Sequence, residues 1–175
     1  MLPDKQSTNW VYMLRTTQQH HVHLTSLIDQ KANILIASSS IILTYSFSHI
    51  HTAKHFWGFW LLMITAFLTL LTSILVIAPI SFRKGKSQNP KGQKNILFFG
   101  HFAASSYEDF ESEILEVMDD AERVKRSMVR DIYDIGRVLY DRKHPFLKAS
   151  STIFFMGLVV SIAVFTLEYV FGKVV

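Results

Sequence analysis

The side chains in this sequence that could do chemistry are mainly cationic and aromatic. Arg83, Lys84 and Lys94 come shortly before an aromatic run, and Arg130 lies farther along in a stretch with helical periodicity. Cations and backbone donors hold phosphate groups, and an aromatic face stacks a nucleobase. These residue types therefore predict a ligand site for a nucleotide. The candidate ligand-binding residues are Arg83, Lys84, Lys94, Asn95, Phe98, Phe99, His101, Tyr107, Arg130 and Tyr133.

Two other interpretations of the same residues stay open. The cations could mark the cytoplasmic side of a membrane protein or contact anionic lipid headgroups. Phe98 and Phe99 could pack in a core rather than face a ligand. The residue types alone do not decide between these alternatives.

The sequence carries no catalytic or metal-binding pattern. It has no Gly-rich phosphate loop, no HExxH motif and no nucleophile elbow, and the absence of cysteine excludes disulfides and thiolate ligands. Of His20, His21 and His23, only the first and last share a helical face, and no further ligand lies nearby. The acidic stretch 109–120 is typical of a solvated helix. We therefore expect no enzymatic activity, no cofactor, no metal and no nucleic-acid partner.

Three apolar stretches predict membrane-spanning helices. Residues 56–80 contain no charged side chain over 25 positions, and a helix of that length crosses a hydrocarbon core of about 30 Å. Residues 32–53 are also free of Asp, Glu, Lys and Arg, although serine is frequent, and residues 149–167 supply 19 further uncharged positions. A buried hairpin of a soluble bundle is the alternative, but soluble chains rarely run so far without a charge.

Cations flanking these spans predict the topology. Lys54 and Lys173 are the cations on one side of the membrane, and the other side has many more cations. The cations on that richer side are Arg83, Lys84, Lys86, Lys91, Lys94, Arg142, Lys143 and Lys148. Because positive residues collect in cytoplasmic segments, the N-terminus and residues 81–148 are expected in the cytoplasm and the C-terminus in the periplasm.

The predicted fold is mainly α, an integral membrane protein with a helical cytoplasmic part and little or no β. It comprises an N-terminal cytoplasmic helix within 1–30, a transmembrane hairpin at 31–80, a basic loop and long helix at 81–148, and a third span at 149–172. Residues 95–102 form either a strand or a buried turn. Ser106 and Asp109 match a capping box that opens the long helix. A break is expected near Asp119–Asp120, and Pro145 is expected to kink the chain or open the last span.

Polar residues in the first span predict helix–helix contacts. Ser38, Ser39 and Ser40 are small hydroxylated residues that suit an interface with another copy of the chain. Asp29 and Lys31 lie at the mouth of the same span, where ionisable groups are costly unless solvated or paired. They are therefore either solvated or members of a structural ion pair with another helix.

Several short motifs, taken in order, resemble one family. They are Asp29-Gln-Lys-Ala32, Asn95-Ile-Leu-Phe-Phe-Gly-His101, the helix start at Tyr107, Arg130-Asp-Ile-Tyr133-x-Ile-Gly-x-Val-Leu139, Arg142-Lys143, and Gly157 in the last span. With these motifs and its three predicted spans, the chain resembles the transmembrane effectors of Pycsar antiphage defence systems over nearly its whole length.

The resemblance implies a two-component defence system. A partner cyclase makes cyclic CMP or cyclic UMP on infection. The effector, a homo-oligomer in the lipid bilayer of the bacterial inner membrane, senses that nucleotide at its cytoplasmic part and disrupts the membrane, causing abortive infection. The alternative is a small structural membrane protein that does not signal and that binds lipid or a partner subunit through its basic loop.

Overall fold

The computed structural model of the chain describes residues 5–49, 56–78, 95–98 and 105–171, and these residues are helical apart from short turns. They form α1 (Lys5–His49), α2 (Phe56–Ile77), α3 (Tyr107–Met118), α4 (Ala121–Val138) and α5 (His144–Phe171), with a π turn (Leu139–Lys143) between α4 and α5. No strand occurs within these ranges, so the predicted mainly-α class is confirmed there.

The chain divides into two compact units. One comprises Met1–Thr25 with Ser81–Leu139 and is called the polar unit. The other comprises Ser26–Ile80 with Tyr140–Val175 and is called the apolar unit. Helix α1 contributes residues to both units, and so does the helical run from α4 through the π turn to α5.

Two helical runs, Trp57–Ile77 and Ala121–Phe171, are long and apolar enough to cross a membrane. The first is the predicted charge-free span, and the apolar end of the second corresponds to the predicted final span. The remaining predicted span lies in α1, which continues without a break from its polar start and does not reach the same hydropathy in the described residues. A membrane arrangement with three spans therefore stays a prediction.

Helices α2 and α5 pack against each other in antiparallel directions within the apolar unit. Residues near the start of α2 contact residues near the end of α5, and residues near the end of α2 contact residues near the start of α5. The matched positions are Gly58 with Phe165, Thr65 with Gly157, and both Thr69 and Ser73 with Ser150.

Small residues let α2 and α5 approach closely. A Cβ atom added to Gly157 would lie 2.5 Å from the side chain of Thr65, and one added to Gly58 would lie 2.6 Å from the ring of Phe165. The Ser150 hydroxyl hydrogen-bonds with that of Ser73 and donates to the Thr69 carbonyl at 3.2 Å. Small residues and hydroxyl groups are the usual means of packing helices where both sides are apolar.

A carboxylate from α5 caps the beginning of α2. The backbone N–H of Trp57 donates to Glu168 Oε1 at 2.9 Å, and that of Gly58 donates to Oε2 at 3.2 Å. The first N–H groups of a helix have no partner within the helix and carry partial positive charge. Glu168 satisfies two of them and fixes the register of α5 against α2.

Local capping defines α3 and α4 in the polar unit. The Ser106 hydroxyl accepts from Asp109 N at 3.1 Å, which confirms the predicted cap of α3. Asp120 accepts from Glu122 N at 2.9 Å and begins α4, so the predicted break near Asp119–Asp120 is also confirmed. Arg126 lies 3.5 Å from Glu122, an exposed ion pair that contributes little stability.

Two predictions for local structure left alternatives open. Asn95 begins a turn through residues 96–98, so the predicted choice between strand and turn is settled in favour of a turn for these residues. Pro145 is the second residue of α5, so it lies at the start of the last helix, directly after the π turn. A proline has no N–H to donate, and the change of hydrogen-bond register at the π turn accommodates it.

Substitution of Gly157 tests the α2–α5 contact. Gly157→Val places methyl groups where Thr65 already lies, so we expect a loss of about 1–3 kcal/mol and a lower melting temperature in detergent. Ala163→Val, at an exposed position of the same helix, serves as the matched control. Equal melting temperatures for the two variants would show that the helices do not pack this closely.

Substitution of Glu168 tests the cap on α2. Glu168→Ala removes both acceptors, and we expect a loss of about 1–2 kcal/mol, measured by thermal unfolding. Glu168→Gln keeps one acceptor and should fall between the alanine variant and the native chain. Thr166→Ala, an exposed neighbour, should be close to native. A Glu168→Ala variant as stable as that control would rule out the cap.

Candidate functional site

A buried carboxylate lies at the centre of the polar unit. Asp131 of α4 is only 3% exposed and receives hydrogen bonds from two amide side chains. Gln18 of α1 donates to Oδ2, and Asn95 donates to Oδ1 at 3.5 Å. The same Asn95 amide donates to Asp134 Oδ2 at 2.7 Å. Gln18, Asn95, Asp131 and Asp134 are called the Asp131 cluster.

The turn at Asn95 is built around its side chain. Asn95 is 1% exposed, and its Oδ1 accepts from Leu97 N at 3.1 Å while its carbonyl accepts from Phe98 N at 3.2 Å. A side-chain amide that closes its own turn leaves its N–H groups free to point elsewhere. Here they reach α4, so one residue fixes both the shape of the turn and its position against the helix.

Arg130 lies at the edge of the cluster. Its Nε is 4.0 Å from Asp134 Oδ2, the oxygen that also accepts from Asn95. Two of the predicted ligand-binding residues, Arg130 and Asn95, are therefore brought together by a third residue that the sequence did not single out. A guanidinium next to an amide is a suitable pair of donors for an anion.

The electrostatics of the cluster are unusual for a buried carboxylate. Within the described part of the chain, both hydrogen-bond donors to Asp131 are neutral amides rather than cations. Burial of a charge is costly unless it is paired or well hydrogen-bonded. The amides of Gln18 and Asn95 supply such hydrogen bonds to Asp131.

The other predicted ligand residues are distributed unevenly. Phe98 is half-buried next to Asn95, whereas Tyr107 on α3 is 70% exposed and Tyr133 on α4 is 61% exposed. Tyr133 lies three residues beyond Arg130 on the same helix, and Tyr107 is not joined to the cluster by a described hydrogen bond. Arg83, Lys84, Lys94, Phe99 and His101 lie outside the described residues.

Sequence reasoning missed Gln18, Asp131 and Asp134. A signal was present, because Asp131 and Asp134 lie among Met128, Ile132 and Ile135 on the amphipathic helix α4. A carboxylate close to an apolar face needs a partner. Nothing in the sequence identified Gln18 as that partner, since it lies 113 residues away.

The histidines of α1 lie in different environments. His20 and His23 are exposed, and the ring of His21 lies against Gly136. Among the residues that the structure describes, no group of three or more His, Asp or Glu side chains could hold a metal ion.

The apolar unit contains the other predicted polar residues. Asp29 forms an ion pair with Lys143, whose Nζ lies 2.5 and 2.7 Å from the two carboxylate oxygens, while Lys31 is exposed. Lys143 is the last residue of the π turn. The pair therefore joins α1 to the helical run that ends in α5.

The predicted oligomer-interface serines occupy different environments. Ser39 is completely buried within the chain, and its role in an interface between copies stays a prediction. Ser38 and Ser40 are half-buried, and the Ser40 hydroxyl donates to the Ile36 carbonyl at 2.8 Å. A serine that bonds its own helix can face an apolar neighbour without an unsatisfied donor.

Comparison with known proteins identifies the family. The model of the Pycsar effector protein domain matches residues 12–168 of the 175-residue chain. The match includes the Asp131 cluster, the helical run Trp57–Ile77 and residues 121–168 of the second membrane-capable run. Neither a curated protein nor a solved structure matches the chain. The chain therefore belongs to the Pycsar effector family, a family of antiphage membrane effectors.

Proposed function

We propose that the polar unit binds cyclic CMP or cyclic UMP, made by a partner cyclase on infection, and that the apolar unit then permeabilises the bacterial inner membrane. In this proposal the chain acts as a homo-oligomer in the lipid bilayer, with the N-terminus and residues 81–148 in the cytoplasm and the C-terminus in the periplasm. The observation that carries the proposal is the buried Asp131 cluster with Arg130 beside it, in a chain of this family.

The residue chemistry of the cluster suits a cyclic pyrimidine nucleotide. Arg130 can bind the phosphate, and Lys94, which adjoins Asn95 in the sequence, would add positive charge. An aspartate accepts from the amino group of cytosine, and an amide side chain both donates and accepts. Phe98 or Tyr133 can stack on the base. A ligand that donated a hydrogen bond to Asp131 would displace the side-chain amide of Gln18 or Asn95 from the carboxylate.

A continuous helical run offers a route from the site to the membrane. Helix α4 carries Asp131, and no loop separates it from the π turn and α5. A tilt or rotation of α4 would therefore extend to α5 and strain the Asp29–Lys143 ion pair at the π turn. For such a change to activate the protein, the nucleotide must bind the active conformation more tightly than the resting one.

Thermal stability against a nucleotide panel tests the binding step. A ligand at a hundred times its dissociation constant adds about 2.7 kcal/mol to the folded state. We expect cyclic CMP or cyclic UMP to raise the melting temperature of the detergent-purified chain, and cyclic AMP and cyclic dinucleotides to have no effect. No shift with any nucleotide, in detergent and again in lipid nanodiscs, would favour the structural membrane protein.

Arg130→Ala tests the site within the same experiment. Loss of the guanidinium that binds the phosphate should reduce or abolish the nucleotide-dependent rise in melting temperature. Arg126→Ala is the matched control, because Arg126 lies one turn earlier on α4 and its side chain is 80% exposed. An unaltered shift in Arg130→Ala would move the binding site away from the cluster.

Gln18 tests the cluster independently of the phosphate. Gln18→Leu leaves an oxygen of the buried Asp131 without its donor, so we expect a loss of about 1–3 kcal/mol in unfolding free energy and a weaker nucleotide response. Gln19→Leu changes an exposed neighbour and should be close to native in both measurements. Identical behaviour of the two variants would contradict a role for Gln18.

A further inference from the structure

The interior of the apolar unit is hydroxylated rather than purely apolar. Its buried polar side chains are Ser39, Ser46, Thr69, Ser73, Ser150 and Ser161, each no more than 1% exposed. These six residues are called the hydroxyl seam. Its large buried apolar side chains, by contrast, are Leu35 and Val76 among the described residues.

Three hydroxyls of the seam have no hydrogen-bond partner. The Oγ atoms of Ser39, Ser46 and Ser161 are enclosed by the protein, and none donates or accepts within the described structure. Other serines and threonines in the same helices bond to a backbone carbonyl of their own helix, as Thr44 does at 2.9 Å and Thr166 at 2.8 Å. The three exceptions are therefore not a general consequence of placing a hydroxyl on these helices.

Residue spacing puts the seam on one face of each helix. On α1, Ser39 and Ser46 are seven residues apart and continue the buried positions Ala32 and Leu35. On α5, Ser150, Gly157 and Ser161 are buried at intervals of seven and four residues. On α2, Thr69 and Ser73 lie between Ala66 and Val76, at intervals of three and four. Positions three, four or seven apart share a helical face, and so each of the three helices buries one hydroxylated face.

An unsatisfied buried hydroxyl costs about 1–3 kcal/mol, and a water molecule with polar neighbours removes that cost. A cavity of about 10 Å³ lies among these helices and is close to the size that one water molecule requires. Thr69 is the seam residue that lines it, and its other lining residues include Ile42, Leu62 and Phe154. A small separation of α1 from α2 and α5 would admit water to the three unpartnered hydroxyls.

We infer that the hydroxyl seam binds a file of water molecules and conducts protons across the membrane when the effector is active. Serine hydroxyls both donate and accept, so they can complete a chain of hydrogen bonds with water where lipid-facing side chains cannot. The path lies within one chain and needs no wide pore between subunits. The inference rests on the proposed function for its membrane setting and for its activation by a nucleotide.

Proton flux into proteoliposomes tests the inference. Vesicles that contain a pH-sensitive dye and the full chain are given a pH gradient, and proton flux is measured before and after addition of cyclic CMP or cyclic UMP. We expect the nucleotide to raise the proton flux. Ser39→Ala, Ser46→Ala and Ser161→Ala combined remove the three unpartnered hydroxyls with almost no change of shape, and we expect the nucleotide-dependent flux to fall at least tenfold.

The matched control combines Thr44→Val, Ser48→Ala and Thr166→Val, which remove exposed hydroxyls from the same helices and should conduct like the native chain. The triple alanine variant should also keep the nucleotide-dependent rise in melting temperature, which would show that it folds and binds the nucleotide. If the nucleotide raises the flux equally in the alanine variant and the native chain, the seam is not the path, although the proposed function stands.

If the nucleotide raises the proton flux in neither protein, the proposed function fails. The inference about the seam is then tested by the basal proton flux, measured without nucleotide. A basal proton leak through the native chain that exceeds the leak through the alanine variant would support the seam. Equal basal leaks, no larger than in protein-free vesicles, would overturn it.

Discussion

Helices α2 and α5 lie so close that Thr65 fills the space where Gly157 would otherwise carry a side chain. This approach depends on small residues, since apolar side chains have nothing to gain by leaving lipid for one another. Hydrogen bonds then fix the register, with Glu168 on the first N–H groups of α2 at one end and Ser150 with Ser73 and Thr69 at the other. The arrangement of the apolar unit follows from this pairing.

An interior held by hydroxyls and glycine differs from an interior of interlocking large side chains. Its contacts are short, local and polar, so a small sliding or rotation of one helix exchanges a few hydrogen bonds without opening a large cavity. The π turn and the Asp29–Lys143 pair lie where α5 begins, and α4 with its buried Asp131 lies directly before them. In chain order, a change of helical register thus lies between the buried Asp131 and the apolar helix α5.

Local signals in the sequence were sufficient for much of the fold. The charge-free run at 56–80 predicted α2, Ser106 predicted the start of α3, and Asp119–Asp120 predicted the break before α4, because each depends on residues within a few positions. The π turn was not predictable from Pro145, since proline is compatible with a kink, a helix start or a change in register.

Contacts between distant residues could not be predicted. Asp29 required a partner, but its partner Lys143 lies 114 residues away among several equivalent cations. Likewise Asn95 and Arg130 were candidates by residue type, whereas Gln18, Asp131 and Asp134 became visible only when the helices were assembled. The burial of Ser39 has the same origin, because a serine-rich face suits an internal contact as well as an interface between copies.

Hydrogen–deuterium exchange of the chain in lipid nanodiscs is the most direct test of the central claim, that a cyclic pyrimidine nucleotide binds at the Asp131 cluster and acts through α4. Binding there should slow the exchange of backbone amides from Ala121 to Lys143 with cyclic CMP or cyclic UMP and leave it unchanged with cyclic AMP. Exchange that is the same with and without the pyrimidine nucleotide, at concentrations that permeabilise vesicles, would contradict the claim.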